Sequence, residues 1–400
     1  MPAFYKEFFY KTKLKLVGGM LGKPQPKPMA FIGAGSSNEL CKTIAQFGVR
    51  KLLIVTDGPL RELGVLDEAL ATLVGAKVDA TVFDGVLPDP TAQIVNEGLG
   101  ILRKNNCEAV LAIGGGSSID CAKVIALAAA NDCSAEDCIG VNKCKSPTVP
   151  FFAIPTTAGT GSEGTCIAVI SDNETHDKGG VIDDSMIPKA TALDPVLMRG
   201  LPAHITAATG MDALTHAIES YIGTIGNSET DFYGLASAKL VFQHLPEACS
   251  NGDNLEAREA MALASYYGGL AITQALVGYV HAISHNLGAR YGVPHGLGNA
   301  MVLPHVLELL KTDAPKKMAE IAVHAGIGDA SDSDQELADK LVERIWALNK
   351  EIGIPETTDV IKEEDLDELV KVSLAEGSGY PTPRYFDEGE CKALLQRIKA

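Results

Sequence analysis

The sequence predicts an α/β N-terminal domain built on a parallel sheet, followed by an all-α C-terminal domain. The chain has 400 residues, which is more than one ordinary hydrophobic core accommodates, so two domains are expected. In the first half, short apolar runs alternate with helical patterns, as is typical of a parallel sheet covered by helices. From about Ala203 onwards, a 3.6-residue periodicity dominates and strand-like runs are few.

The predicted strands of the first half are short and apolar. They cover residues 51–57, 78–83, 108–113, 149–154 and 190–193. Helical patterns lie between them at residues 61–73, 92–105 and 119–130. Because helices separate successive strands, the connections are of the βαβ type, and the sheet is expected to be parallel and Rossmann-like.

The second half is predicted to form helices at residues 235–245, 255–274, 280–291, 334–352 and 363–375. The change of pattern occurs near Asp194-Pro195, where a strand-like segment gives way to Gly200-Leu201-Pro202. We therefore predict one domain at residues 1–193 and a second at residues 194–400.

Composition limits the classes of function. The net charge of −17 at pH 7 argues against a generic affinity for nucleic acid or for anionic membranes, which both select basic surfaces. The N-terminus mixes lysines into its apolar residues, unlike a signal peptide, and no apolar run approaches the ~18 residues of a membrane span. We therefore expect a cytoplasmic protein with no nucleic-acid or membrane partner.

The nine cysteines include no CxxC pair. Cys133, Cys138 and Cys144 are the closest group, and no second CxxC or HxxxH element completes a zinc pattern. The odd number and the chain length favour reduced thiols over a disulfide framework. Each cysteine is interpreted as a small, buried apolar residue.

A glycine-rich loop, Ile113 to Asp120, follows a predicted strand and opens a predicted helix. Its three consecutive glycines let backbone N–H groups approach an anion, and the helix N-terminus adds a favourable dipole. Ser117 and Asp120 lie where caps of that helix belong. A pyrophosphate site is the functional interpretation. A tight structural turn is the alternative, because the G-x-G-x-x-G fingerprint is absent.

Two further segments follow predicted strands and offer polar groups to a cofactor. Asp57 ends the strand at residues 51–57, where a carboxylate can accept hydrogen bonds from a ribose and repel a 2′-phosphate. The alternative for Asp57 is a turn or cap residue. Residues 155–163 form a small, hydroxyl-rich loop, which is interpreted either as a cofactor contact or as a flexible turn.

The densest group of candidate metal ligands lies in the second half. Asp212 and His216 are four residues apart and share a helical face, and so are His281 and His285. His295 follows in a Pro-His-Gly segment. Oxygen and imidazole ligands suit Fe²⁺, Zn²⁺, Mn²⁺ or Co²⁺. The joint pattern predicts a metal site, although each histidine alone is better explained as a core residue and spacing does not show that the segments meet.

Taken together, these segments resemble the iron-containing alcohol dehydrogenase family, which includes lactaldehyde and 1,3-propanediol dehydrogenases. The resemblance covers nearly the whole chain and rests on ordered motifs: VTD at 55–57, GGGSSIDCAK at 114–123, PTTAGTGSE at 155–163, LDPVL at 193–197, TGMDALTHAIESY at 209–221, and GYVHAISHNLG with VPHG at 278–296. It implies a dehydroquinate synthase-like fold, with NAD bound by the N-terminal domain and Fe²⁺ or Zn²⁺ bound by the C-terminal domain.

The resemblance also implies the roles of individual residues. The metal ligands would be Asp212, His216, His281 and His295. His285 would lie near the nicotinamide as a candidate proton-relay group, and Asp57 matches the aspartate that disfavours NADP in relatives, so NAD is expected. The other cofactor contacts would come from Gly114, Gly115, Gly116, Ser117, Asp120, Thr156, Thr157, Thr160, Thr165 and Lys178.

The implied reaction is hydride transfer between NAD and a primary alcohol or small diol, interconverting alcohol and aldehyde. The metal would act as a Lewis acid, and the proton would leave through His285, because an imidazole with an unperturbed pKa of about 6.5 suits neutral conditions. Ile272 and Gln274 replace an aromatic residue and an asparagine that are common in relatives, and Asp89 replaces a more usual asparagine. The departures at Ile272 and Gln274 should enlarge or reshape the alcohol pocket, and they weaken any transfer of substrate preference. A homodimer or larger homo-oligomer is implied.

Other functions stay open. Glycerol dehydrogenases and dehydroquinate synthases combine a metal with NAD in a related architecture, although the latter should need basic residues that are few around these metal motifs. A metal hydrolase would use the metal without NAD, and a nucleotide sensor would bind NAD without turnover. The sequence does not identify the alcohol, the favoured direction or the metal loaded in the cell.

Overall fold

The structure is a computed structural model that describes residues 25–172, 178–329 and 331–400. The N-terminal segment, in which the sequence analysis expects no signal peptide, and the side chain of Lys178 lie outside the described residues. Gln25–Gly200 form one compact unit and Leu201–Ala400 belong to a second. The division follows Gly200, whereas the sequence prediction placed it after residue 193.

The N-terminal unit is built on a parallel sheet, as predicted. Its strands are β1 (Met29–Ile32), β2 (Lys51–Asp57), β3 (Asp79–Val86), β4 (Ala109–Gly114), β5 (Gly140–Val141), β6 (Phe151–Pro155), β7 (Ile167–Ser171), β8 (Lys178–Ile182) and β9 (Ala190–Leu193). Six of them form the main sheet in the order β1-β9-β6-β4-β2-β3, with every pairing parallel. The sequence prediction missed β1 and the small sheet β5-β8-β7.

Helices cover both faces of this sheet. They are α1 (Ser36–Gln46), α2 (Gly58–Glu62), α3 (Asp67–Gly75), α4 (Ala92–Asn105), α5 (Gly116–Asn131) and α6 (Ala135–Cys138). The prediction of one helix at residues 61–73 is wrong, because Gly64 adopts a left-handed φ of 74° and separates α2 from α3. Helix α1 was not predicted.

The central strands are buried on both faces, as parallel strands between two helical layers must be. In β2, Leu53 and Val55 contribute to one apolar cluster with α4 and α5. Leu52 and Ile54 contribute to the opposite cluster with α1 and α3. This alternation follows from the two-residue period of a strand, and it fixes the edge of the sheet at which each strand ends.

Asp194 fixes the loop between β1 and α1. Its buried carboxylate accepts hydrogen bonds from Gly35 N at 3.1 Å, Ser37 N at 3.2 Å and Ser37 Oγ at 2.6 Å. The other carboxylate oxygen accepts from Val196 N at 3.1 Å. The LDPVL motif therefore caps the N-terminus of α1 from a distant part of the chain, where backbone N–H groups lack intrahelical partners.

The Leu201–Ala400 unit is helical, as predicted. Its helices are α7 (Ala203–Ile222), α8 (Ser228–Ser250), α9 (Leu255–Ala275), α10 (Tyr279–Tyr291), α11 (His295–Leu310), α12 (Pro315–His324), α13 (Asp334–Glu351), α14 (Leu366–Gly377) and α15 (Glu388–Ile398). Helix α7 packs against α8, α9 and α11, so almost all of it from Gly210 onwards is buried. Polar side chains on α7 must therefore find partners inside the protein.

Within the described residues, no single helix has the length and apolar composition to cross a membrane. One bent pair, α9 followed by α10, meets that test by length and composition alone. Both helices are largely buried within the unit.

Replacing Asp194 with alanine should lower the free energy of unfolding by about 3 kcal/mol, because buried N–H groups lose a charged acceptor. The measurement is urea unfolding followed by circular dichroism. The exposed Glu62→Ala is the control and should change stability little. An unchanged unfolding midpoint in Asp194→Ala would contradict this role of the carboxylate.

Candidate functional site

Four predicted metal ligands converge in the helical unit. Asp212 and His216 lie on α7, His281 lies on α10, and His295 begins α11. The Asp212 Oδ1 atom is 3.3 Å from His295 Nε2 and 3.8 Å from Nε2 of both His216 and His281. One ligand atom from each residue lies within 4.8 Å of the others. His295 is the most exposed of the four, with 32% of its side chain accessible.

The electrostatics of this set favour a bound cation. Although burial raises the pKa of Asp212, the imidazoles of His216 and His295 hold it well below its ordinary value. Burial, and then the neighbouring imidazoles, lower the pKa of His281 well below 6.5. One carboxylate and three imidazole nitrogens form an N₃O set of ligand atoms, which matches a divalent transition metal.

Asn299 supports the same conclusion and was not predicted from the sequence. It lies one turn after His295 on α11 and is fully buried. Its Nδ2 atom donates to Asp212 Oδ1 at 2.7 Å and lies 3.2 Å from Nε2 of both His281 and His295. The amide N–H group, which carries a partial positive charge, thus occupies the position in which a cation would contact the same acceptor atoms. Its i, i+4 spacing from His295 is the sequence feature that could have identified Asn299.

Glu219 orients His281 and was also missed. Its carboxylate is 2.6 Å from His281 Nδ1, so an Nδ1–H leaves the Nε2 lone pair directed towards Asp212. Burial raises the pKa of Glu219 to about 8, while hydrogen bonds from the backbone N–H groups of Gly278 and Val280 oppose that shift. Glu219 follows Asp212 and His216 along one face of α7, so the helical period could have identified it.

The turn between α9 and α10 is shaped around Glu219. Leu276 has φ 60° and ψ −168°, a conformation that costs about 1–3 kcal/mol for a residue with a side chain. Gly278 lies so close that a Cβ atom there would be 2.7 Å from Glu219 Oε1. The strained turn and the glycine together bring two backbone N–H groups and His281 onto one carboxylate.

His285 lies beside the ligand set without joining it. Its ring stacks on His295 with centroids 5.2 Å apart, and its Nδ1 atom is 2.6 Å from Glu376 Oε1. Glu376 also accepts from Tyr380 Oη at 2.9 Å and from Asn286 Nδ2 at 2.9 Å. The carboxylate therefore fixes the ring orientation of His285.

In the N-terminal unit, the glycine-rich loop lies between β4 and α5. Gly115 is the N-cap of α5, and no side chain among the described residues caps this helix. The predicted capping roles of Ser117 and Asp120 are therefore wrong, since Ser117 lies inside the first turn. Asp120 instead accepts from Ser162 Oγ at 2.6 Å and from Val169 N at 2.9 Å. The first-turn N–H groups remain directed at the sheet edge, where an anion can bind.

Other predicted cofactor residues lie at the same edge of the sheet, where its strands end. Strands β6, β4 and β2 are adjacent and parallel, so their carboxyl ends bring together the 155–163 loop, the glycine loop and Asp57. Gly116 permits the closest approach, because a Cβ atom there would lie 2.5 Å from Thr160 Cγ2. Thr157 and Thr160 are partly exposed, whereas Thr156 is buried.

Asp57 and Thr165, like Asp120, are already engaged within the protein. Asp57 caps α2 by accepting from Leu60 N at 2.9 Å, in agreement with the alternative given for it. Thr165 accepts from the buried Lys123 Nζ at 2.8 Å. Lys123 also donates to Ser162 Oγ at 2.8 Å and Ile167 O at 2.7 Å, and burial lowers its pKa to about 8. Lys123, which was not predicted, thus holds the hydroxyl-rich loop against α5.

Comparisons with known proteins agree with this architecture. Residues 27–195 match the family model described as iron-containing alcohol dehydrogenase, and residues 206–399 match the C-terminal model of the Fe-containing alcohol dehydrogenase family. The chain is 40% identical to alcohol dehydrogenase 4 of Schizosaccharomyces pombe, covering 92% of this chain and 86% of that enzyme. It is 39% identical to the NAD-dependent methanol dehydrogenase of Bacillus methanolicus, covering 89% and 94%.

Among solved structures, a 1,3-propanediol oxidoreductase superimposes with a TM-score of 0.91 at 37% identity, covering 94% of this chain and 99% of that one. The family models span almost the whole described chain, and both relatives exceed 35% identity over most of their length. The protein therefore belongs to the iron-containing alcohol dehydrogenase family and is a metal-dependent oxidoreductase of alcohols and aldehydes.

Proposed function

We propose that this protein transfers a hydride between NAD and a primary alcohol or small diol, using a metal held by Asp212, His216, His281 and His295. The convergence of three imidazole Nε2 atoms on one Asp212 carboxylate oxygen carries the proposal. The names of similar proteins, which act on methanol and 1,3-propanediol, support a short-chain alcohol as the substrate class.

Each group in the proposed reaction has its own task. Asp212, His216, His281 and His295 would hold a divalent ion, which would supply Lewis-acid stabilisation of the alcohol oxygen, and NAD⁺ would supply the hydride acceptor. Glu219 keeps His281 in the tautomer that presents its Nε2 lone pair. His285, oriented by Glu376, accepts the alcohol proton at Nε2. The N–H groups at the start of α5 bind the pyrophosphate.

The proposal also covers cofactor choice and setting. Asp57 has one carboxylate oxygen on Leu60 N, and the second would accept a hydrogen bond from a ribose and repel a 2′-phosphate. The NAD dependence named for the methanol dehydrogenase supports this choice. We further propose a cytoplasmic homo-oligomer without nucleic-acid or membrane partners, in keeping with the net charge of −17.

Anaerobically purified protein loaded with Fe²⁺ should reduce NAD⁺ with short alcohols or diols, and a chelator should abolish this turnover until Fe²⁺ is restored. His281→Ala should lose both the metal and the turnover. The measurements are absorbance of reduced nicotinamide and metal content by mass spectrometry. Full activity in metal-free His281→Ala would contradict the proposal.

The matched control for that variant is His285→Ala, which removes the neighbouring imidazole outside the ligand set. It should retain the metal and lose roughly 10²–10⁴-fold in kcat, because only the proton transfer is impaired. Loss of the metal in His285→Ala would show that this residue is a ligand instead of a proton-transfer group.

Glu219→Gln should weaken metal binding by roughly 10–100-fold, because it replaces the carboxyl partner of His281 Nδ1 with an amide while keeping the side-chain shape. Competition with a chromophoric chelator gives the dissociation constant. Glu256→Gln, at an exposed position on α9, provides the control. Equal metal affinity in both variants would show that Glu219 does not contribute to metal binding.

Asp57→Ser should raise kcat/KM for NADP⁺ relative to NAD⁺ by roughly tenfold or more, since a carboxylate no longer repels the 2′-phosphate. Serine can still cap α2, so stability should change little. Initial rates with each cofactor measure the ratio. An unchanged ratio, with the fold intact, would mean that cofactor choice is made elsewhere.

A further inference from the structure

The structure brings together three cysteines that the proposed reaction does not use. Cys138 Sγ lies 3.7 Å from Cys133 Sγ and 3.6 Å from Cys144 Sγ, and all three sulfurs are within 4.8 Å of one another. Cys138 is buried, while Cys133 and Cys144 are partly exposed. The group lies in the Gln25–Gly200 unit and shares no residue with the Asp212 ligand set.

Ordered backbone on both sides holds the sulfurs in place. Helix α5 ends at Asn131, and Asp132 takes a left-handed φ of 49°, which turns the chain towards Cys133. Ser134 and Asp137 then form a capping box that starts α6, so Cys138 is presented by a short helix. These two features fix the first two sulfurs within one tight turn.

The third sulfur is fixed by a side-chain clamp. Asn131 Oδ1 accepts from Lys145 N at 3.0 Å and from Ser146 N at 2.8 Å, and its Nδ2 donates to Ser146 O at 2.8 Å. The residues directly after Cys144 are thereby tied to the end of α5. Asn142, with φ 48°, reverses the chain just before Cys144. The three sulfurs therefore meet through local turns that no regular sequence spacing describes.

The distances between the sulfurs match a shared metal ion better than a disulfide. Sulfurs bound at about 2.3 Å to one ion are separated by roughly 3.6–4.0 Å in trigonal or tetrahedral geometry, close to the two distances around Cys138. A disulfide requires about 2.05 Å, and it would use only two of the three sulfurs. The ordered turn around Cys133 and Cys138 and the Asn131 clamp after Cys144 oppose the larger movement that a disulfide would require.

Burial bears on how an ion would bind. Burial, and then the sulfurs of its two neighbours, raise the pKa of the Cys138 thiol well above its ordinary value. Burial likewise raises the pKa of Cys144. Without a metal these two thiols are therefore neutral, and a bound ion would displace their protons.

We infer that Cys133, Cys138 and Cys144 form a second metal site, which binds a soft, thiophilic ion of the Cu⁺ or Zn²⁺ class through three thiolates. Thiolate ligands select such ions, whereas the carboxylate and imidazoles around Asp212 suit a borderline ion such as Fe²⁺. The two sets of ligands thus sort metals by chemical softness within one chain.

Anaerobic titration of the reduced full-length protein with Cd²⁺ tests the site. Cadmium–thiolate bonds give a sulfur-to-metal charge-transfer band in the ultraviolet, which carboxylate and imidazole ligands cannot produce. We expect the band to saturate at one equivalent of Cd²⁺ per chain. Subsequent loss of the band on adding Cu⁺ or Zn²⁺ would support the site and identify the ion that it prefers.

Two variants and one control complete the design. Cys144→Ser and Cys133→Ser change partly exposed residues and should each weaken Cd²⁺ binding at least ~tenfold, with NAD-linked turnover unchanged as evidence of an intact fold. Cys249→Ser, at a partly exposed cysteine outside the cluster, should keep the band and its affinity.

Either of two results would overturn the inference. A band that never saturates, or that is the same in Cys144→Ser and wild type, would leave the cysteines as small packing residues. Loss of two titratable thiols in air, with no Cd²⁺ band after reduction, would assign the cluster to disulfide chemistry. Both results are independent of whether the protein oxidises alcohols, so they do not depend on the proposed function.

Discussion

The arrangement of the helical unit depends on one buried negative charge, that of Asp212. An isolated carboxylate inside a protein is costly, and it is tolerated only with hydrogen-bond partners or a cation. Asp212 lies on the most enclosed helix of the unit, so its partners other than His216, which lies on the same helix, come from α10 and α11. Packing of those helices around α7 and assembly of the imidazole set are therefore the same event.

That constraint explains several local features that would otherwise be unfavourable. The strained conformation of Leu276 and the glycine at 278 place the start of α10 against Glu219, and this contact determines where His281 points. Gly296, at the start of α11, lies so close to α7 that a Cβ atom would be 2.4 Å from Ala208 O. Close helix approaches therefore set the ligand distances, and larger residues at either glycine would push the imidazoles away from Asp212.

The sequence predicted the metal ligands of this site better than the residues that orient them. The i, i+4 pairs identified Asp212, His216 and His281, but spacing within a helix cannot show that α7, α10 and α11 meet. Glu219 and Asn299 continue the helical faces of the ligands, so both could have been predicted from periodicity. Each was overlooked because carboxylate and amide groups at such positions are more often exposed.

In the N-terminal unit, the sequence predicted the buried strands and missed elements with weak patterns. Strands β2, β4 and β6 contain buried apolar runs, whereas β1 is a run of four apolar residues that directly follows a segment rich in proline and glycine and is mostly exposed. Asp120 and Lys123 illustrate a second difficulty. Both follow the glycine loop in sequence, but the helix turns them towards residues 162–169, which only the tertiary structure brings near.

The three cysteines show a third limit, and it bears on function. Metal motifs are recognised in sequences when a regular turn or helix fixes the spacing of the ligands. Here the separations depend on left-handed residues at 132 and 142 and on the Asn131 clamp, none of which belongs to a spacing rule. Packing against the apolar core explains why all three side chains are partly or fully buried, but it does not require their sulfurs to meet on ordered turns. The proposed soft ion would give this convergence a function, and it is compatible with the sulfur contacts of 3.6 and 3.7 Å.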